Sequence, residues 1–172
     1  MKPSLINVKH LHIHLPQFPP IPSAELLANP IPAHLGEAMA EAPIARFELS
    51  ANGATVIDHR TVLMWTQEES PKRLTFAEAE SHCTELRTGG FTDWRLPDLE
   101  ELESIRDITR HKPCLDTSVF KSNSSWVWSR TPTAWSPDFA WVVGFYDGYV
   151  YGSHRDDGAF VRAVRRVSPA GQ

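Results

Sequence analysis

Three histidines alternate with apolar residues in the segment KHLHIHLP near the start of the chain. His10, His12 and His14 are separated by Leu11 and Ile13, so on an extended strand all three imidazoles share one face. Imidazole nitrogens bind zinc, nickel, copper and iron. We therefore expect either a transition-metal site at these histidines or the polar outer face of an edge strand. Both alternatives require a partner surface, because an isolated strand cannot bury its own apolar face.

All three tyrosines of the chain lie within six positions, in the segment FYDGYVYGSHRDD. A tyrosine ring offers a large contact area at low entropic cost, and its hydroxyl group remains hydrated, which favours it in recognition surfaces. We expect a ligand-binding surface in which rings stack and polar groups hydrogen-bond. Its predicted members are Trp135, Tyr146, Tyr149, Tyr151, His154, Arg155 and Asp156. The alternative is that the N-terminal segment or another sheet buries this face.

A hairpin must position these rings. The dipeptide DG at residues 147–148 lies between two alternating runs, which predicts a two-residue type I′ turn. In that register Phe145 lies opposite Val150, and Gly144 lies opposite Tyr151. Alternation of side chains then places the tyrosines on one face, beside the missing side chain of Gly144. The other face is the predicted core face and carries Trp141, Val143, Phe145 and Val150.

Short β-prone runs lie before and after a central helical region. The runs ARFELS, ATVIDH and TVLMW come first, and SSWVWSR, FAWVVGF, GYVYGS and AFVRAVRRV come last. Turn signals separate them, so we expect antiparallel pairing. The predicted fold class is α+β, with two amphipathic helices packed on an antiparallel sheet.

The two helices show both periodicity and caps. The first follows Thr75, which forms a capping box with Glu78, and its apolar residues are Phe76, Ala79, Cys83 and Leu86. The second begins at Asp98 as N-cap and ends before Pro113. Its apolar stripe is Leu99, Leu102, Ile105 and Ile108.

Composition divides the chain and excludes some partners. Seven prolines from Pro16 to Pro43 predict an extended N-terminal arm over residues 1–43, followed by a globular domain over residues 44–168. We expect the arm to mediate homo-oligomerisation or attachment to a larger particle. A net charge of −4 with interspersed signs argues against nucleic acid and anionic membranes. With no apolar run long enough for a membrane helix or a signal peptide, we expect a cytoplasmic protein.

The segments ARFELSANGATVIDHRTVLMW, GGFTDWRLPDLEELESI, WVWSRT and AWVVGFYDGYVYGSHRDDGAFVRAVR follow one another over residues 45–166. In this order they resemble the Lcl C-terminal domain, the C-terminal domain of collagen-like adhesins. The resemblance implies a C-type-lectin-like fold, which bacterial and phage proteins use to bind glycans or cell-surface polymers. Family members that are exported from the cell often have a cysteine at the position of Ala163, paired with the position that matches Cys83. Ala163 therefore implies a reducing compartment, or a phage particle that leaves the cell by lysis.

The matched aromatic residues and both cysteines have structural interpretations. We expect Trp94 and Leu96 to anchor the core, and Arg95 to pair with a carboxylate or with carbonyl groups. The remaining matched tryptophans are expected in core or strand packing: Trp65, Trp126 and Trp128. Cys83 and Cys114 are too few for a disulfide framework, so we expect buried thiols, with a disulfide between them as the alternative.

Two functional classes lack their motifs. The carboxylate and amide cluster of calcium-dependent lectins, EPN or QPD with WND, does not occur. Enzymes of similar fold need a pair of reactive cysteines in the C-terminal half, where Cys114 stands alone. We expect a non-enzymatic recognition module, encoded by a phage or prophage, that binds a glycan or surface polymer. The alternatives are a structural or inhibitory protein that docks the tyrosine face on a protein partner, and an intracellular metalloenzyme.

Overall fold

The computed structural model describes residues 45–123 and 125–167. The elements in this part of the chain are β1 (Phe47–Leu49), β2 (Thr55–Asp58), β3 (Leu63–Thr66), α1 (Phe76–Glu85), a 3₁₀ turn (Thr88–Gly90), α2 (Leu99–Ile105), β4 (Trp126–Pro132), β5 (Phe139–Gly144), β6 (Val150–His154) and β7 (Val164–Arg166). The predicted arm and its three histidines lie outside the described residues.

The strands form two antiparallel sheets, one in the order β1-β2-β3-β7 and the other in the order β4-β5-β6. The prediction of an α+β fold with antiparallel pairing is confirmed, but the expectation of one sheet is wrong. The last strand returns to the first sheet, where Val164 pairs with Trp65. Alternation identifies a strand and its buried face, but it does not identify the partner of that strand.

Both helices begin at the predicted caps. The Thr75 hydroxyl accepts a hydrogen bond from the Glu78 amide, and the Thr75 amide donates to the Glu78 carboxylate at 2.8 Å. The Asp98 amide donates to the Glu101 carboxylate at 2.8 Å in the same way. These contacts satisfy amide groups that have no partner within a helix.

The second helix is shorter than its apolar stripe predicts. It ends at Ile105, where the next residue, Arg106, takes an extended conformation. The Asp107 amide then donates to the Cys114 carbonyl at 2.9 Å. Ile108, predicted on the buried stripe, is 82% exposed, because this loop contact replaces the last helical turn.

Within the described part of the chain, two hydrophobic clusters form the core, and consecutive strand residues point into different clusters. The α1-side cluster contains Phe76, Ala79 and Cys83 of α1, together with Met64, Trp128 and Val142. The α2-side cluster contains Leu102 and Ile105 of α2, together with Trp65, Val127 and Val143. Because neighbouring strand residues face opposite sides, the two helices cover opposite faces of the sheets.

The segment DWRLP packs into this core and contacts α2. Trp94 and Leu96 are buried, as predicted. Both Arg95 guanidinium nitrogens Nη1 and Nη2 donate to the Glu101 carboxylate at 2.7 Å, so the predicted carboxylate pairing is also confirmed. Trp65 and Trp128 are fully buried, as expected, whereas Trp126 is only partly buried against the α1-side cluster.

Both cysteines are free and buried, so the predicted buried thiols are confirmed. Burial raises the pKa of the Cys83 thiol to about 12, and burial also raises the pKa of the Cys114 thiol. Both groups are therefore protonated thiols near neutral pH. Over the described ranges, the helices are too short or too polar to cross a bilayer.

Candidate ligand-binding groove

The hairpin between β5 and β6 contains the tyrosines, but its turn is not the predicted one. Val143 pairs with Val150 and Val142 pairs with Tyr151, a shift of two residues from the predicted register. The closing pair is Gly144 and Tyr149, since the Gly144 amide donates to the Tyr149 carbonyl at 2.8 Å. The loop therefore has four residues, 145–148. A shift of two residues keeps each side chain on its predicted face.

Tertiary hydrogen bonds account for the longer loop. The Phe145 carbonyl accepts from the Cys114 amide at 2.8 Å, and the Tyr146 carbonyl accepts from the Lys112 amide at 3.0 Å. Arg106 Nη1 donates to the Gly148 carbonyl. A two-residue turn would place Phe145 in the ladder with Val150, away from these donors. Gly148 has a φ of +83°, which explains why glycine ends the loop.

One face of the second sheet carries a groove between aromatic rings. Tyr149 and Tyr151 are 68% and 65% exposed, and the Tyr151 ring centroid lies 6.3 Å from that of Trp126 at an interplanar angle of 52°. Val142, which pairs with Tyr151, is buried beneath them. The cavity has a volume of about 420 Å³ and is lined by Trp126, Val142, Tyr149, Val150, Tyr151, Ser153, Gly158 and Ala159. We call this cavity the aromatic groove.

The absence of a side chain at Gly144 leaves room for the Trp126 ring in the aromatic groove. The two residues are partners across β4 and β5. A Cβ atom at Gly144 would lie 3.0 Å from Trp126 Cζ3 and 3.2 Å from Trp126 Cε3, which is closer than normal packing. The ring therefore lies over a position that holds no side chain, and Gly144 sets the shape of this wall.

A second, more polar depression adjoins the aromatic groove at Trp126. Its volume is about 250 Å³, and its lining includes Arg73, Tyr146 and Asp147. Arg73 Nη2 donates to the Ser125 hydroxyl at 3.1 Å. Because Trp126 lines both cavities, an elongated ligand could contact the tyrosine rings in one cavity and Arg73 and Asp147 in the other.

Trp135 and His154 lie on the opposite face of the sheet from Tyr151. The Trp135 ring packs edge-on against Trp141 with centroids 5.0 Å apart. His154 packs edge-on against Phe139, its partner across the strands, at 5.1 Å. Since His154 is an odd number of positions from Tyr151 on the same strand, the two side chains point to different faces. The predicted surface is therefore divided between two faces.

The other predicted residues lie at the ends of the hairpin. The exposed Tyr146 ring is 4.8 Å from Lys112 Nζ and lies at the loop, beside the polar depression. The Arg155 guanidinium lies over the Phe76 ring at 4.2 Å, which anchors it to α1. Asp156 is exposed and its amide donates to His154 Nδ1 at 3.2 Å. The structure thus brings Tyr149 and Tyr151 into one groove and leaves Arg155 and Asp156 beyond it.

Trp126 is a groove residue that sequence reasoning missed, because its place in a β-prone run predicted core or strand packing. The signal that could have found it is the strand partner of Trp126, which is Gly144. A glycine opposite a tryptophan in adjacent strands leaves the tryptophan ring uncovered. That pairing depends on the register of β4 against β5, which contains a shift between Trp128 and Pro132. Local sequence patterns do not specify such an irregularity.

The predicted metal site at His10, His12 and His14 lies outside the described residues and stays a prediction. Within residues 45–123 and 125–167, no group of three or more histidine, cysteine, aspartate or glutamate side chains is arranged to hold a metal ion.

Comparisons with known proteins identify a family for most of this domain. Residues 54–165 match the family model of the Lcl C-terminal domain, which is more than half of the 172-residue chain. No curated protein matches the chain.

Proposed function

The chain belongs to the Lcl C-terminal domain family, and we propose that it is a non-enzymatic recognition module that binds a glycan or surface polymer in the aromatic groove. The observation that carries this proposal is the exposure of two adjacent tyrosine rings, Tyr149 and Tyr151, beside the Trp126 ring in a cavity of about 420 Å³. Exposed aromatic clusters of this kind mark binding surfaces.

Sugar chemistry suits the composition of the aromatic groove. A pyranose ring has an apolar face of C–H groups, which stacks on aromatic rings, and a rim of hydroxyl groups that need hydrogen-bond partners. Tyrosine provides both a ring and a hydroxyl group. Beyond Trp126, two charged residues, Arg73 and Asp147, line the polar depression. This arrangement favours a ligand of several sugar units that contacts rings at one end and charged groups at the other.

The cysteine chemistry supports binding rather than covalent catalysis. A thiol acts as a nucleophile only as the thiolate. Cys83 is buried and its pKa is raised to about 12, and Cys114 is buried against the Phe145 carbonyl, which accepts from its Sγ at 3.2 Å. Neither cysteine lines the aromatic groove.

A glycan array probed with the full chain tests the proposal. We expect binding to at least one class of glycan, weakened about tenfold or more by Tyr149→Ala and by Tyr151→Ala. The melting temperatures of these variants should remain near that of the parent chain, because both side chains are mostly exposed.

Trp135→Ala is the matched control, because Trp135 is 61% exposed but lies on the opposite face of the sheet. It should leave glycan binding unchanged. If Trp135→Ala abolished binding while both tyrosine variants retained it, the ligand would belong to the other face. If the array gave no binding and a protein partner were lost in the tyrosine variants, the groove would be a protein-docking surface instead.

A further inference from the structure

A further cavity of the described domain lies away from the aromatic groove. It has a volume of about 520 Å³ and lies between the β1–β2 turn, the segment after β3, and the C-terminal half of α1. Polar side chains form much of its lining: Asn52, Thr66, Gln67, Glu68, Glu69, Ser70, His82, Thr88 and Lys121. We call it the polar cavity. Its volume lies within the range of about 300–1,000 Å³ that is typical of small-molecule sites.

Gln67 is a buried polar residue in the lining of the polar cavity. It is only 8% exposed, and its main chain is held on both sides: its amide donates to the Ala54 carbonyl, and its carbonyl accepts from the Lys121 amide, both at 3.0 Å. Within residues 45–123 and 125–167, its side-chain amide has no hydrogen-bond partner. The amide atoms of Gln67 are not fully buried, so they reach the solvent that fills the cavity, where they can hydrogen-bond a ligand that enters it.

Two further polar groups of the lining also lack a partner. Among the described residues, the His82 imidazole and the Thr88 hydroxyl make no hydrogen bond within the protein. The Thr88 backbone is fixed, because its carbonyl accepts from Trp94 Nε1 at 3.1 Å. Burial lowers the pKa of His82, so its imidazole is neutral at neutral pH and can both donate and accept.

The charged groups of the lining are already matched. The Glu69 side chain is fully buried and pairs with Arg162 at 3.0 Å. Glu68 pairs with Lys121 at 2.7 Å at the exposed rim. With these charges paired, the open groups among the described residues of the lining include the Gln67 amide, the His82 imidazole and the Thr88 hydroxyl. Such a set recognises a neutral ligand that both donates and accepts hydrogen bonds, rather than an ion.

We propose that the polar cavity is a second binding site, in which Gln67, His82 and Thr88 hydrogen-bond a small neutral polyhydroxylated ligand, such as a single sugar unit. This site does not depend on the aromatic groove. The two sites differ in chemistry, because the aromatic groove offers rings for stacking and the polar cavity offers hydrogen bonds from neutral groups.

Nuclear magnetic resonance of the ¹⁵N-labelled full chain tests this site. The probes are D-glucose, D-mannose and N-acetyl-D-glucosamine, each titrated to concentrations on the order of 50 mM to detect millimolar affinity, with sodium sulfate as the charged comparison. At least one neutral sugar should shift the Gln67 side-chain amide and the Trp94 indole N–H signals in a saturable manner. The indole reports on the site because it donates to the Thr88 carbonyl.

Isosteric variants identify the groups that bind. Gln67→Met should weaken the sugar affinity about tenfold and Thr88→Val about threefold, because each removes a hydrogen-bonding group at nearly constant volume. Thr117→Val is the matched control, since Thr117 is exposed and outside the cavity lining, and it should leave the affinity unchanged. Thr88→Val keeps the test decisive even if Gln67→Met impairs folding.

Three results would overturn the assignment. The first is the absence of a saturable shift at both reporter signals with every neutral sugar. The second is a shift with sulfate alone, which would indicate an anion site. The third is an affinity that is lost in Tyr151→Ala but retained in Gln67→Met and Thr88→Val, which would place the sugar in the aromatic groove and leave the proposed function intact.

Discussion

Replacing Gly144 with alanine tests the geometry of the aromatic groove directly. The new Cβ atom would lie 3.0 Å from Trp126 Cζ3 and 3.3 Å from Asp147 Oδ1. Gly144 does not have a positive φ, so its backbone accepts alanine without strain. The effect of Gly144→Ala on stability therefore reports the steric contact with the Trp126 ring.

Two opposing contributions set the size of that effect. Alanine restricts the unfolded chain and favours a strand over glycine by about 0.5–1 kcal/mol. Overpacking costs about 1–3 kcal/mol. We expect a value in the lower half of that range, because Trp126 is only partly buried and its ring can move outward. The net expectation is a loss of about 1 kcal/mol in the free energy of unfolding, or about 3 °C in melting temperature.

A double-mutant cycle with Trp126→Leu separates the two contributions. Urea unfolding is measured for the parent chain, both single variants and the double variant. Without the indole ring, Gly144→Ala should become neutral or stabilising by about 0.5 kcal/mol, which gives a coupling energy of about 1 kcal/mol or more. A coupling below about 0.3 kcal/mol would refute the inference that Gly144 is small in order to hold the Trp126 ring.

Three further predictions concern the scaffold. A hydrogen bond from Arg130 at 2.6 Å holds the pKa of the Asp98 carboxyl group below its usual value. The ionised carboxylate therefore stabilises the folded state above the unfolded pKa of about 4, and this stabilisation is lost as the pH falls through the lower pKa of the folded state. Asp98→Asn, which can still cap α2, should therefore lower the melting temperature at pH 7 but not near pH 2; an equal deficit at both pH values would contradict this. Arg162→Met should destabilise the domain by about 3–5 kcal/mol in urea unfolding, because it leaves the buried carboxylate of Glu69 unpaired, and a loss below about 1 kcal/mol would be incompatible with that role. Gly148→Val should cost about 1 kcal/mol or more, since a β-branched residue resists a φ of +83°, and an unchanged melting temperature would rule out this loop geometry.

Features that depend on a few neighbouring residues were predictable. The capping boxes at Thr75 and Asp98 are satisfied by side chains three positions along the chain, so the local sequence suffices to place both helix starts. Alternation likewise identified the strands, and the two-residue error in hairpin register left the exposed face of Tyr149 and Tyr151 correct. Within the described residues both rings are exposed and no other sheet covers them; burial by the N-terminal segment, which lies outside the described residues, stays a prediction.

Features that depend on distant contacts were not predictable. Hydrogen bonds from Lys112 and Cys114 to the hairpin carbonyls lengthen the loop, and a contact between Asp107 and Cys114 ends α2 before Ile108. In both cases hydrogen bonds from outside the local segment outweigh the local preference. The partner strand of β7 is likewise set by tertiary packing rather than by its own residues.

The sequence by itself determined that the three tyrosines, on which the proposed recognition rests, lie on one hairpin within a family domain over residues 54–165. The tertiary structure alone decided which aromatic side chains share a surface. It brought Trp126 beside Tyr151 and placed Trp135 on the opposite face. It also assembled Gln67, His82 and Thr88 around one cavity from separate segments. The physical reason is that a binding surface depends on distances between residues remote in sequence, which packing and strand register set and local pattern does not.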